Sequence, residues 1–322
     1  MLEYLMLIAG FLLLIKGAEY LINGASSLAK MLGVSELMIG LSVVAFGTSL
    51  PELLINVFAA LENNASISLG NVIGSNIFNV LTILGILTLI GTLKVHKSTT
   101  WKEIPFALLA TLVLAIFLND VWLNGEADNM LSRAEGLVLL SFFFIFLYYL
   151  YELAMGQRNG DGSPQGGQTE VFSAWKTAGF LLIGLIGLFI GGRLTVDGAV
   201  IAARNMGISE FLISSTIIAM GTGLPELVAS IMAALKKNMD MAVGNIVGSN
   251  IFNIFFVLGV TATINPVPFD DFANFDVLFL IGATVLLFLS IFTFKPHRID
   301  KPEGILFLIL YAIYAGFIIL RG

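Results

Sequence analysis

The sequence predicts an all-α polytopic membrane protein: ten transmembrane helices in two inverted five-helix repeats, with helices 2 and 7 broken. Three observations predict it. Of 322 residues, 57% are hydrophobic and 12% charged, with a mean hydropathy of +0.95; a soluble domain averages about 25% charged residues. Ten apolar segments follow one another, each close to or longer than the roughly 20 residues a spanning helix needs. One stretch, residues 45–79, returns as residues 219–253. Each copy places Gly-Thr-x-Leu-Pro-Glu inside one apolar segment and Gly-Asn-x-x-Gly-Ser-Asn-x-x-Asn inside the next.

The segments run near 3–30, 36–61, 67–91, 103–119, 131–152, 175–204, 209–235, 241–264, 274–294 and 303–320. The first and sixth are long enough to tilt strongly. The first has no basic flank and no small-residue cleavage signature, so it reads as a retained helix rather than a signal peptide. Lys16 and Glu19 in the first, and Arg193 and Asp197 in the sixth, are spaced for local ion pairs that reduce the cost of burial. In the second and seventh, Pro51 and Pro225 lack an N–H and clash with the carbonyls of Gly47 and Gly221. Both spans should break near mid-membrane, where freed carbonyls are tolerated only if buried or lining a wet cavity. In the third, Asn71, Ser75 and Asn79 form a polar stripe on one face, and Asn245, Ser249 and Asn253 repeat it in the eighth. Gly70 with Gly74, and Gly244 with Gly248, are spaced for close helix packing.

The fifth and sixth segments are separated by 156–172, rich in Gly, Gln and polar residues and read as a flexible cytoplasmic linker. It divides the chain into a first repeat, 1–155, and a second, 173–322. It is too short for a regulatory domain. Gly47, Pro51, Glu52 and Asn79 match Gly221, Pro225, Glu226 and Asn253 at an offset of 174 residues each time. Five spans is an odd number, so the second repeat enters the membrane from the opposite side, and the site belongs at the repeat interface. Lys30, Lys94, Lys97, Lys102, Arg158, Lys176, Lys236, Lys237, Lys295, Arg298 and Lys301 fall on one side, against Arg133, Arg204 and Arg321 on the other. The first side is therefore the cytoplasm and both termini are extracellular, in a multi-pass protein of the cell membrane. Asp120, Glu126, Asp128, Asp270 and Asp271 make the outer loops acidic, either as a solvated surface or as a concentrator of cations at the entrance.

A glutamate inside an apolar span is costly and marks function, which singles out Glu52 and Glu226. There is no cysteine, and His96 and His297 lie in polar loops, so thiolate and imidazole metal sites fail. No HExxH, G-x-S-x-G or paired-Asp motif stands in a span, so the chain is not read as an enzyme. The net charge of −6 argues against nucleic acid. No resident cofactor and no protein partner is implied; the bilayer is the partner. The remaining inventory is hard oxygen: two carboxylates, hydroxyls, amide oxygens and freed carbonyls. Such shells suit calcium, magnesium and alkali cations. Two carboxylates match the charge of one divalent ion.

GTSLPE followed by GNVIGSNIFN, and GTGLPE followed by GNIVGSNIFN, resemble the paired alpha repeats of the sodium/calcium exchanger family, and the likeness covers most of the chain. The resemblance implies a secondary antiporter that exchanges Ca2+ for Na+ by alternating access, moving calcium outward on inward sodium. Carried over by position, Glu52 and Glu226 become the central calcium ligands. Thr48, Ser49, Ser75 and Asn79 become sodium or calcium ligands from the first repeat, and Thr222, Ser249 and Asn253 from the second. The carbonyls of Ala45 and Ala219 would join them. Two positions depart from the pattern: Asn253 stands where many members have Asp, and Gly223 where many have Ser. They leave the number of sodium sites, the stoichiometry and any K+ dependence open. Proton-coupled calcium exchangers usually carry Glu where this chain has Gly74 and Gly248, which argues against H+ coupling. A K+-dependent or H+-coupled exchanger is the alternative, and a cation channel a further one. Inverted repeats with midplane glutamates favour alternating access over a continuous water path.

Overall fold

A computed structural model describes residues 2–119, 129–157, 171–208, 213, 219–269, 272–293 and 296–321. The helices are α1 (Leu2–Leu32), α2 (Glu36–Thr48), α3 (Leu50–Leu61), α4 (Ile67–Ile90), α5 (Thr99–Phe117) and α6 (Arg133–Gly156). They continue as α7 (Ala174–Asn205), α8 (Leu224–Leu235), α9 (Met239–Ile264), α10 (Ala273–Ser290) and α11 (Lys301–Arg321). Among the described residues, 8 helices are long and apolar enough to cross a membrane, or 9 if α2 and α3 form one bent span. Of the expected span 209–235, a turn at Ala219–Gly221 and the 12-residue α8 are described. Residues 209–212 and 214–218, and residues 158–170 of the expected linker, lie outside the described residues.

Local chemistry sets the helix ends. Ser35 caps α2 by accepting from Met38 N, and Ser173 caps α7 by accepting from Lys176 N. Ser132 and Glu135 make a reciprocal capping box on α6, which satisfies two otherwise orphaned donors. The fourth span begins four residues earlier than the sequence pattern suggests, because Thr99–Glu103 forms one wide π-type turn ahead of Ile104.

The long helices α1 and α7 pack along most of their length. A Cβ added to Gly17 would lie 2.6 Å from Leu188 N, and one on Gly184 would lie 2.5 Å from Leu21 N. Backbone meets backbone there, which only glycine permits. The expected ion pairs are present: Lys16 Nζ to Glu19 at 2.8 Å and Arg193 Nε to Asp197 at 3.8 Å. The most buried spans are α4 and α9, with α6 and α11 outermost. The all-α expectation needs one small addition. Leu93–Lys94 pairs with Arg298–Ile299, and Met130–Leu131 with Val267–Pro268, as two-residue antiparallel ribbons. Each pins the loop after α4 or α9 to a distant loop, satisfying backbone groups as the chain leaves a helix.

The amino-terminal half of α9 lies against α2. A Cβ on Gly244 would come within 2.6 Å of Leu37 O, and one on Gly248 within 2.7 Å of Leu41 O. Gly70 and Gly74, expected to pack in the same way, have nothing within 4 Å of an added Cβ, whereas the small-residue spacing of Gly244 and Gly248 serves close packing. It also leaves no space for a glutamate at position 248.

Candidate cation site

The two Pro-Glu motifs do form helix starts. The chain turns by 42° between α2 and α3, with Ser49 at the joint (φ −84, ψ 3). Pro51 sits in the first turn of α3, where its missing N–H costs nothing. Gly223 (φ −80, ψ 0) precedes α8, and Pro225 sits in its first turn. Glu52 and Glu226 therefore lie in the first turns of α3 and α8, where the helix dipole favours a negative charge. The break frees less backbone than expected: Ala45 O still accepts from Ser49 N at 3.0 Å, and from Thr48 Oγ1 at 3.4 Å. Ala219 opens the short turn before α8.

The polar stripes of α4 and α9 face these breaks across the repeats. Thr48 Oγ1 donates to Asn245 Oδ1 at 3.1 Å, and its counterpart Thr222 Oγ1 donates to Asn71 Oδ1 at 3.4 Å. Ser75 Oγ lies 3.4 Å from Thr222 Oγ1. Ser49 Oγ donates to Glu226 Oε1 at 3.2 Å. In each of these pairs the partners come from opposite repeats.

Two residues outside the predicted set hold the centre. Asn253 Nδ2 donates to Asn76 Oδ1 at 3.1 Å, and Asn79 Nδ2 donates to Asn250 Oδ1 at 3.0 Å. Asn76 Nδ2 in turn reaches Asn250 O at 3.1 Å. The four amides form a two-fold knot where α4 crosses α9. The helices widen into π-type turns there, at Phe78–Ile83 and Phe252–Leu258, a feature often found at functional sites. Since the amide nitrogens are committed to the knot, the oxygens of Asn79 and Asn253 are left over. The available signal was the second Asn of the GSN triplet, identical in both copies.

The result is an unsatisfied set of hard oxygens. Both carboxylate oxygens of Glu52, Oε2 of Glu226, Oδ1 of Asn79, Oδ1 of Asn253 and Oγ of Ser249 are buried without a hydrogen-bond partner. Glu52 and Glu226 are 0% and 1% exposed. No described lysine or arginine pairs with either one. Burying an unpaired carboxylate costs several kcal/mol, so the arrangement calls for cations. Hard oxygen donors carrying two negative charges suit Ca2+, which takes 6–8 oxygen ligands. His96 and His297 lie elsewhere, bonded to Asp240 and Thr100.

Known proteins resemble this chain along most of its length. The family model described as "Sodium/calcium exchanger protein" matches residues 2–152 and 176–320. The inner membrane protein YrbG of Escherichia coli (strain K12) is 36% identical over 249 residues, covering 73% of each chain. The sodium/calcium exchanger MaX1 of Methanosarcina acetivorans is 29% identical over 308 residues, 83% of this chain and 84% of its own. A solved structure of the sodium-calcium exchanger NCX_Mj, soaked with 100 mM Na+ and 10 mM Sr2+, superposes with a TM-score of 0.82 at 33% identity, covering 98% of both chains.

Proposed function

This chain belongs to the sodium/calcium exchanger family, and on that premise we propose that it exchanges Ca2+ for Na+ across the cell membrane by alternating access. The family is one of transporters rather than enzymes. The observation that carries the reading is the burial of both Glu52 and Glu226 without a cationic partner, in a chain that also buries unpartnered oxygens of Asn79, Asn253 and Ser249. A divalent ion neutralises both carboxylates. Sodium ions replace it on the same carboxylates together with the hydroxyls of Thr48, Ser49, Ser75, Thr222 and Ser249, the amide oxygens of Asn79 and Asn253, and the carbonyls of Ala45 and Ala219.

In this reading the region 209–235 is the seventh of ten spans and the two halves are inverted repeats, as the two-fold exchange of hydrogen bonds supports. Residues 1–155 and 173–322 then form the repeats, joined by the cytoplasmic linker 156–172. Both termini are extracellular by the Lys and Arg bias, and inward sodium drives calcium out. Proton coupling is disfavoured because positions 74 and 248 carry glycine and no carboxylate; Leu41 and Ala45 crowd position 248, while position 74 is open.

The experiment is calcium uptake into sodium-loaded proteoliposomes, with external sodium, potassium and protons varied separately. Uptake that requires the outward sodium gradient, and continues without potassium or a proton gradient, is expected. Uptake at the same rate without any counter-ion gradient would identify a channel instead.

A further inference from the structure

The two halves of the site are not equivalent, and the difference sits at one position. Ser49 Oγ donates to Glu226 Oε1 at 3.2 Å. The two-fold counterpart of that pair is residue 223 against Glu52, and residue 223 is glycine. Glu52 is fully buried, and no serine hydroxyl bonds its carboxylate, only the more distant Thr222 hydroxyl acting on it.

Space for a side chain is missing as well. A Cβ on Gly223 would stand 2.7 Å from Cδ1 and 3.0 Å from Cε1 of Phe78. The backbone there (φ −80, ψ 0) suits any residue, so the ring, not the turn, is what excludes a side chain. The equivalent ring, Phe252, is engaged elsewhere. It packs on Phe46, Phe143, Phe146 and Phe256 with centroids 5.7, 5.0, 6.1 and 6.4 Å away. Phe46 and Phe256 have no aromatic counterparts in the other half, where Met220 and Thr82 stand instead. Among described ring contacts Phe78 keeps only Tyr311, at 5.5 Å, and its edge lies on Gly223.

We propose that Gly223 and Phe78 together remove one monovalent-cation subsite beside Glu52, so that this exchanger couples one sodium ion fewer than a site with a hydroxyl on both sides. The inference rests on sodium/calcium exchange at this site. A hydroxyl offers a cation a lone pair, whereas an aromatic edge is electropositive and offers none. Beside Glu226 the Ser49 oxygen is available to share a sodium ion with the carboxylate. Beside Glu52 the same place is taken by ring carbon. Both carboxylates remain, so the divalent ion keeps its charge balance while the monovalent count falls.

The test is the double variant Gly223→Ser with Phe78→Leu, in which the shorter side chain makes room for the hydroxyl. In proteoliposomes with the potential held at zero, the steady-state calcium gradient is measured against an imposed sodium gradient. The log–log slope is the coupling number. The double variant is expected to gain one unit of slope over the unaltered protein, so a tenfold sodium gradient yields a calcium gradient about tenfold steeper. Phe78→Leu alone keeps the original slope, because it opens space without adding an oxygen. Equal slopes for the double variant and the unaltered protein would overturn the inference and leave exchange itself standing. An unaltered protein that builds no calcium gradient from sodium would overturn the exchange reading, and this inference with it. If the double variant binds ions but does not turn over, sodium displacement of bound radioactive calcium in detergent decides: a Hill coefficient higher by one supports the subsite, and an unchanged one refutes it.

Discussion

Replacing Asn76 with alanine tests whether the amide knot aims the ligands. Both polar atoms of the Asn76 side chain are hydrogen-bonded, to Asn253 and Asn250, so it acts through Asn253. The substitution removes the acceptor of Asn253 Nδ2 at 3.1 Å and the donor to Asn250 O at 3.1 Å. Side-chain hydrogen bonds within membranes average about 0.6 kcal/mol, and leaving a buried amide donor without an acceptor costs about 1–3 kcal/mol. The variant should therefore lose about 2–4 kcal/mol of stability. Calcium affinity should fall further than stability alone explains, because the Asn253 amide loses the hydrogen bond that fixes its orientation. Partners that orient ligands typically contribute 10–100-fold in metal affinity, and a drop of about that size is expected. The assay is thermal unfolding in detergent across a calcium titration, which reports stability and affinity from one series. Thr111→Val is the control, since buried Thr111 bonds only to Ala107 O within its own helix, at 3.0 Å; its calcium affinity should not change. An Asn76→Ala protein that melts lower yet binds calcium as tightly as the unaltered chain would refute a positioning role.

Gly248→Ala should destabilise by about 1–3 kcal/mol through overpacking, since its Cβ would stand 2.7 Å from Leu41 O and 2.8 Å from Ala45 Cβ; Gly282→Ala, with nothing within 4 Å of its Cβ, should be neutral or slightly stabilising in the same melt. His96 Nε2 lies 2.9 Å from Asp240 Oδ2, whose carboxylate raises the histidine pKa above its usual value of 6.5. A raised pKa means the pair's stabilisation is full in acid and is lost as pH rises through the raised value. His96→Gln should accordingly melt lower than the unaltered protein at acid pH, by under about 1 kcal/mol for so exposed a pair, with the gap closing in alkali; a gap that widens in alkali would contradict this. An impermeant reagent should label a carboxy-terminal tag on intact cells, and labelling only after lysis would reverse the orientation.

Much of the site was legible because the duplication has no gaps. Glu52 and Glu226 stood out as acids in apolar spans, and the prolines announced where α3 and α8 begin. Spacing by four put Asn71, Ser75 and Asn79 on one face, and the structure brings Ser75 to Thr222 and Thr222 to Asn71. Asn76 escaped because it is one residue past Ser75, off the stripe by about 100° of helix rotation. Its partners, Asn250 and Asn253, lie in the other repeat, where local spacing says nothing about them. The π-type turns at Phe78–Ile83 and Phe252–Leu258 were hidden for a similar reason: the helical pattern continues through them, and only packing between α4 and α9 selects the wider turn. The absence of a hydroxyl at position 223 was visible in the sequence, but the Phe78 ring that fills its place was not, since Phe78 and Phe252 are the same residue and differ only in their neighbours.

If Glu52 and Glu226 jointly hold the transported calcium, removing either charge should abolish its binding. The most direct measurement is sodium-driven calcium flux together with equilibrium calcium binding for Glu52→Gln and Glu226→Gln, each shown to be folded by its elution profile. Glutamine keeps the size and one oxygen, so only the charge is removed. Each variant leaves one negative charge facing a divalent ion, and both flux and high-affinity calcium binding should be lost. Near-normal calcium flux in either folded variant would contradict the claim.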